Sequence, residues 1–490
     1  MRLISFVTFV FLFAFFACNK DDDFLLDSTA ELTFSIDTLR FDTVFTELGS
    51  ATRILKIFNV NDQPVNINKI ALDKGDQSAF RINVDGVSAD EVSNVEIAAN
   101  DSIYVFAEVT IDPDNPLSIS PFIIVEFLNI ELNGIKRQVM LEAWGQNANY
   151  IPDRFSQGGG AVISCELGEV TFDDPKPYVI YGALFIDSCT LNIPAGTEIY
   201  VHGGIVRMGI LGENYNDGYI VVLPNGRLSI QGTVEEPVTI QGDRLEAPFQ
   251  DIPGQWGGIW FTRTSRGNKI EHAVIRNARF GMIVDSSATL IIENSQVLNA
   301  ISGGVIGVHS RIKAENCLFA GNGGNAVQLE YGGSYDFTYC TIASYGVDNS
   351  ALRMSNALCL DQFCNEARFN DLRARFKNSI IFGSRDDEIE IFNPEQANFD
   401  YNFEHCIVKV EDLVEEDAVP DFFDFCTPCQ PGAGVSDVVL FKDPGEGDFH
   451  LDSLSIAEGY ADPILNLNTD INGVIRSSDT PDAGCFERVE

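Results

Sequence analysis

Six short stretches of this chain repeat one pattern at a nearly fixed spacing. They are "IEHAVI" from Ile270, "IENSQV" from Ile292, "AENCLF" from Ala314, "FTYCTI" from Phe337, "FKNSII" from Phe376 and "FEHCIV" from Phe403. The first three intervals are 22, 22 and 23 residues; the next two, 39 and 27, imply insertions. A period in this range marks a stacked architecture, in which no unit can bury its apolar face without its neighbours. The units are short, β-branched and broken by glycine, which excludes helical repeats.

Aligned, the stretches give columns. Ile270, Ile292, Ala314, Phe337, Phe376 and Phe403 form one apolar column, and Ile275, Val297, Phe319, Ile342, Ile381 and Val408 another. Between them run Ala273, Ser295, Cys317, Cys340, Ser379 and Cys406, all small. Alternation along a strand is expected to send these inward and the other positions outward. Each large apolar side chain so buried contributes about 1.5–3 kcal/mol. Asn294, Asn316 and Asn378 share a further column with His272 and His405. Asparagine there suits a left-handed bend or an amide ladder between rungs. A metal reading is weaker, because the two histidines fall several rungs apart.

Similar units lie upstream. "TLNIPAGTEIYV" (190–201) and "YIVVLPNGRLSIQGTVEEPVTIQG" (219–242) read as strands joined by turns carrying proline or glycine. With "IPGQWGGIWF" (252–261), they resemble the opening rungs of an uncharacterised family of Bacteroidota right-handed parallel β-helix lipoproteins, a pectate-lyase-like solenoid. The ending is similar too: Asp470, Gly473 and Arg476, then Pro481, Asp482, Gly484 and Glu487, match the family's closing segment. The resemblance covers about residues 155–490. It implies a single-stranded right-handed helix over 155–445 closed by 446–490, and no reaction, because such scaffolds host lyases, hydrolases, adhesins and inert stalks.

Residues 31–147 are different. Strand-like runs begin at Leu32, Ile54, Phe80, Ser102, Phe122 and Gln138, separated by breakers such as "NDQP" (61–64) and Asn133-Gly134. This spacing predicts a β-sandwich. The run "LKIFNVNDQPVNI" followed by an F…I…V strand resembles the immunoglobulin-like domains of the abnormal-spindle/hydin class, which implies a spacer. The expected fold class is therefore all-β, an Ig-like sandwich followed by the β-helix.

The first 17 residues hold one charge, Arg2, before an apolar run. That run is shorter than the about 20 residues a transmembrane helix needs and fits a secretory signal. It ends "FFAC" at Cys18, which resembles a bacterial lipobox, with Phe15 where leucine is usual. The resemblance implies cleavage before Cys18 and lipid on its thiol; an ordinary signal with an incidental cysteine is the alternative. Asn19, Lys20, Asp21, Asp22 and Asp23 then resemble the surface-export run of Bacteroidota lipoproteins. The expectation is an outer-membrane lipoprotein, surface-exposed on an 18–30 tether.

Charge narrows the partners. Lysine and arginine total 32 against 72 acidic residues, a net charge of −40. Such a chain does not seek nucleic acid or anionic lipid by electrostatics. Membrane association through lipid, a polysaccharide or other cell-surface ligand, and calcium remain open.

Four groups are candidate sites. Glu271, Glu293, Glu315 and Glu404 share one outward column. Rungs about 4.8 Å apart would stack carboxylates near the separation of about 5–5.5 Å used by retaining glycosidases. A calcium ladder, pairing with Arg276, Arg311 or Lys313, and a plain solvated face compete with that reading. Arg263, with Arg266 and Lys269, could supply the base of a lyase. Trp256 and Trp260 could stack on a sugar or fill the core. Cys359, Cys364, Cys426 and Cys429 could bind one metal, although local disulfides suit an exported chain better. Five histidines leave no Ser–His–Asp arrangement in view. The expectation is a non-catalytic binding or display module, possible partners including a glycan. A polysaccharide lyase or glycoside hydrolase, and an adhesin or structural stalk, are the alternatives.

Overall fold

The computed structural model describes residues 24–45, 52–110, 122–152, 160–203, 205–207, 214–216, 218–245, 251–361, 364–415, 419–431 and 439–489. The signal segment, Cys18 and the start of the tether lie outside these residues. The chain forms two compact units that divide between Asn147 and Ala148.

The first unit contains two five-stranded sheets. In one, Arg53–Asn59 and Ser102–Val109 pair antiparallel at the centre, with Leu32–Phe34 outside the former and Phe80–Val84 outside the latter. In the other, Phe122–Leu132 lies between Val65–Leu72 and Ile135–Gln146, again antiparallel. Thr38–Phe45 joins that sheet parallel to Ile135–Gln146. Asn133 and Gly134 both take positive φ, 49° and 79°, as a two-residue hairpin turn between twisted strands requires. Inward residues such as Leu55, Ile57, Val105, Leu128 and Leu141 make one core. Thr38–Phe45 and Glu91–Ile97 are strands that the sequence pattern does not announce. In Glu91–Ile97 most positions face outward, and a left-handed Asn94 breaks the alternation.

The second unit is a parallel β-helix. A typical turn gives one strand to an 11-stranded sheet and two to a 16-stranded sheet, the two running together as one long strand in Gly303–Glu315 and Val327–Thr338. One turn runs through Ala273–Arg276, Phe280–Val284 and Thr289–Glu293 before Gln296–Leu298 starts the next. The register follows the repeat: Ile270 pairs Ile292, which pairs Ala314, then Phe337, Phe376 and Phe403. All are buried, and their aromatic end stacks face to face, with centroids 5.2 Å apart for Phe337–Phe376 and 4.7 Å for Phe376–Phe403. Such contacts add about 0.5–1.5 kcal/mol each beyond burial.

Strict alternation would place Ile270 and Ala273 on opposite faces, yet both point inside. The residue between their strands explains this. His272, Asn294, Asn316, Tyr339, Asn378 and His405 all sit at φ between 47° and 54°, the left-handed corner that turns one sheet into the next. The asparagines also ladder: Asn316 Nδ2 donates to Asn294 Oδ1 at 3.0 Å. The small column has its own chemistry. Ser295, Cys317, Cys340, Ser379 and Cys406 each donate a hydroxyl or thiol hydrogen to the carbonyl two residues earlier, at 2.7–3.5 Å. Serine and cysteine interchange there because either is small and can donate.

The C-terminal segment packs along the outer face of the 11-stranded sheet. Leu440, Phe441, Phe449, Leu451 and Phe486 bury against Leu318, Tyr339, Ile380 and Ile407. The closing-segment residues form a clasp. Arg476 is buried and donates to Asn316 Oδ1 and to the carbonyls of Asp482 and Gly484. Glu487 accepts from Arg476 at 3.3 Å, and Asp470 accepts the Glu487 amide at 2.9 Å. Gly484, at φ 90°, sits so close to the wall that a Cβ would lie 2.7 Å from both Ile380 Cδ1 and Thr341 Oγ1.

Candidate functional site

The two tryptophans separate completely. Trp256 is fully buried, and its indole N–H donates to the Arg276 carbonyl at 3.0 Å. It is a core residue. Trp260 lies on the outward face of Gly258–Phe261 and is 40% exposed. Its register neighbours form a column across five rungs: Phe185, Val221, Trp260, Ile283 and Ile306. The same column continues as Gln328, Arg353 and Glu390. There Arg353 Nε bonds Glu330 at 2.7 Å and its other arm bonds Glu390, while Gln328 also donates to Glu330 at 2.8 Å. Burial works against the Arg353 charge, but Glu330 and Glu390 outweigh it and hold the guanidinium more firmly protonated. The face is thus an apolar half with one exposed indole, followed by a tied polar half.

The glutamates align as the repeat implies. Glu271 pairs Glu293, which pairs Glu315. Thr338 and Lys377 then intervene before Glu404. The cations beside these carboxylates differ in part from those expected. Lys269 Nζ lies 2.8 Å from Glu271 and 3.0 Å from Glu293, and Lys313 lies 2.8 Å from Glu315. Hydrogen bonding to Glu271 leads the causes that raise the Lys269 pKa. Arg276, an expected partner, instead reaches Asp251 at 3.4 Å. An ammonium therefore stands between the first two carboxylates, where a calcium ladder would need its ion. The same holds further along. Glu404, His405 and Asp462 place ligand atoms within 4.8 Å of one another, but Lys377 Nζ bonds Glu404 at 2.7 Å and Asp462 at 2.9 Å.

Arg263 is not brought to the glutamates. It is exposed on the turn before Asn268–Glu271, and Glu271 is at the strand's far end. The four-cysteine metal reading is corrected. Cys359 is bonded to Cys364 and Cys426 to Cys429, so these sulfurs are tied to each other and are not open thiolates. A third bridge, Cys165–Cys189, escapes the pattern of close cysteine pairs. Its 24-residue separation, close to one rung, is the signal that could have found it.

Residues 163–283 match a family model described as a pectate-lyase like beta helix domain. This chain carries a pectate-lyase-like β-helix domain behind N-terminal β-sandwich sheets. Solved structures of low similarity include the pectate lyase Pel9A, at 12% identity and a TM-score of 0.32, covering 70% of this chain and 88% of the lyase. A protein of unknown function from Porphyromonas gingivalis matches at 15% identity and a TM-score of 0.18 over 26% of this chain; the match spans about half, 51%, of that protein. The catalytic unit of a GH87 α-1,3-glucanase from Streptomyces thermodiastaticus matches at 11% identity and a TM-score of 0.16, covering 73% of this chain and 78% of the enzyme. No curated protein matches the sequence.

Proposed function

We propose that this protein is a lipoprotein of the bacterial cell envelope, anchored through Cys18 in the outer membrane and facing outward, whose β-helix binds a glycan without turning it over. The observation that carries the binding reading is Trp260. An indole held 40% exposed in the middle of an apolar column suits the apolar face of a sugar ring, and the fixed polar row that begins three rungs further along the same column, at Gln328, suits the hydroxyls of a chain laid along it. The non-catalytic part rests on Lys269. Its ammonium relieves the repulsion between Glu271 and Glu293 on which acid–base work by stacked carboxylates would draw.

A glycan array probed with the full chain and with Trp260→Ala tests the first part. Binding that the variant loses supports it; no binding to any glycan overturns it in favour of a structural stalk. Polysaccharide turnover that disappears in Glu271→Gln or Glu293→Gln overturns the non-catalytic part. Metabolic labelling of cells with a lipid precursor tests the anchor: label is expected on the native protein and absent from Cys18→Ser.

A further inference from the structure

We propose that a second surface, the corner carrying Arg227, Arg263, Arg266 and Arg311, binds the acidic groups of a glycan. It rests on the glycan-binding reading above but uses different residues. These arginines lie on or beside the strands that follow one corner of the helix. Thr289 pairs Arg311, and Arg311 pairs Ser334. The Arg227 side chain lies over Gly267, where a Cβ would come within 3.5 Å of its Nε, and Arg266 is the residue before that glycine. By rung spacing the strip from Arg227 to Arg311 runs about 14 Å, long enough to engage several sugar units.

Charge makes this corner unusual. The chain carries 72 acidic residues against 32 basic ones. Elsewhere on the helix Lys269, Arg353, Arg375 and Lys377 are each held by carboxylates, and Arg279 and Arg368, which are not so held by any described residue, stand singly and not in a cluster. Among the described residues, none of the four corner arginines has an ion-pair partner, and all four are exposed. Between Arg266 and Arg311 opens a cleft of about 360 Å³, with Thr289, His309 and Ser334 on its walls. The Nδ1 of His309 is buried there with no hydrogen-bond partner among the described residues. Asp371 is the one carboxylate on the lining, and its Oδ1 accepts the Asn398 amide at 3.0 Å.

The chain's net negative charge does not forbid such a ligand. Fields from exposed charges are screened over about 8 Å at physiological salt, so the acidic surface acts weakly at a distance while the guanidinium groups act at contact. Guanidinium forks match the oxygens of a sulfate ester or a carboxylate, and either acid group serves.

Affinity electrophoresis of the full chain through gels containing dextran sulfate, polygalacturonate or neutral dextran tests the strip. Retardation by an acidic polymer, weakening as salt rises, is expected, and whichever polymer retards it identifies the acid group. The double variant Arg266→Gln/Arg311→Gln is expected to weaken it tenfold or more. Both changes are on exposed side chains, and an unchanged Tm confirms that the fold is kept. Absence of retardation by both acidic polymers, equal retardation of the variant, or equal retention by DNA overturns the proposal. Trp260→Ala on neutral glycans fails or succeeds independently, so the two readings can be told apart.

Discussion

The guanidinium of Arg476 lies 4.0 Å from the centre of the Tyr339 ring. Tyr339 is one of the left-handed corner residues of the helix, and Arg476 belongs to the C-terminal clasp. The contact joins the repeat to the segment that covers it. Around it, Arg476 is bonded to Asn316 on a neighbouring corner and to Glu487 within the clasp.

Removing Arg476 should detach the clasp. Its side chain and that of Glu487 are 2% and 8% exposed, so truncation strands a buried carboxylate. Arg476→Ala is expected to cost about 3–5 kcal/mol. Arg476→Lys should not restore it, because one ammonium cannot replace a planar fork that serves several acceptors. Urea denaturation measures the loss, and proteolysis should open first within 440–489. Native stability and native protease resistance in Arg476→Ala would remove the clasp role.

Glu388 gives the helix a pH dependence. Its side chain is wholly buried, and burial pushes its pKa up from 4.5 to about 7, against the Arg385 and Ala351 amides that donate to it. The folded value is above the unfolded one. The contribution is therefore fully present below about pH 4.5 and is lost as pH rises through 7. A shift of this size corresponds to roughly 3 kcal/mol across that window. Thermal melts at steps from pH 4.5 to 8 should show a flatter slope for Glu388→Gln than for the native chain. Equal slopes would show that Glu388 does not titrate there.

The two tryptophans should respond oppositely. Trp256→Ala empties a core position and should cost about 3–5 kcal/mol. Trp260→Ala removes an outward ring and should change stability by less than about 1 kcal/mol, while lowering glycan binding. Chemical denaturation of both variants beside the array separates packing from recognition. A large stability loss in Trp260→Ala would mean that its ring is a packing residue.

Lys269 makes the glutamate column independent of metal. Chelation with EDTA is expected to leave the native Tm unchanged. Lys269→Gln should cost no more than about 1 kcal/mol, since the pair is partly exposed. With the ammonium gone, Glu271 and Glu293 face each other with no cation, and calcium should now raise the Tm, as hard cations favour paired carboxylates. A calcium-dependent Tm in the native protein would overturn this assignment.

The repeat makes the helix legible in the amino-acid sequence. One apolar column and one small column, each recurring about once per rung, can be buried together only by stacking, and the strand register is the alignment that runs from "IEHAVI" to "FEHCIV". The candidate site is legible only in its residue types. Glu271, Glu293 and Glu315 fall in one outward column by alignment, but which cation stands beside them depends on side-chain placement, with Lys269 and Lys313 projecting from the same face two residues earlier.

Local pattern thus determined what repeats: strand period, small column, left-handed corner and all-β class. These arise from one residue's size and its immediate neighbours. Tertiary structure decided what does not repeat. Trp256 and Trp260 stand four residues apart in one glycine-rich run, yet one lies in the core and the other is 40% exposed, because Gly258 between them takes a φ of 125° and breaks the strand alternation. Arg476 meets Asn316 across 160 positions. No periodicity carries such a contact; it exists only because the helix offers an apolar wall edged by polar corners and the C-terminal segment has the charge and the glycine to close on it.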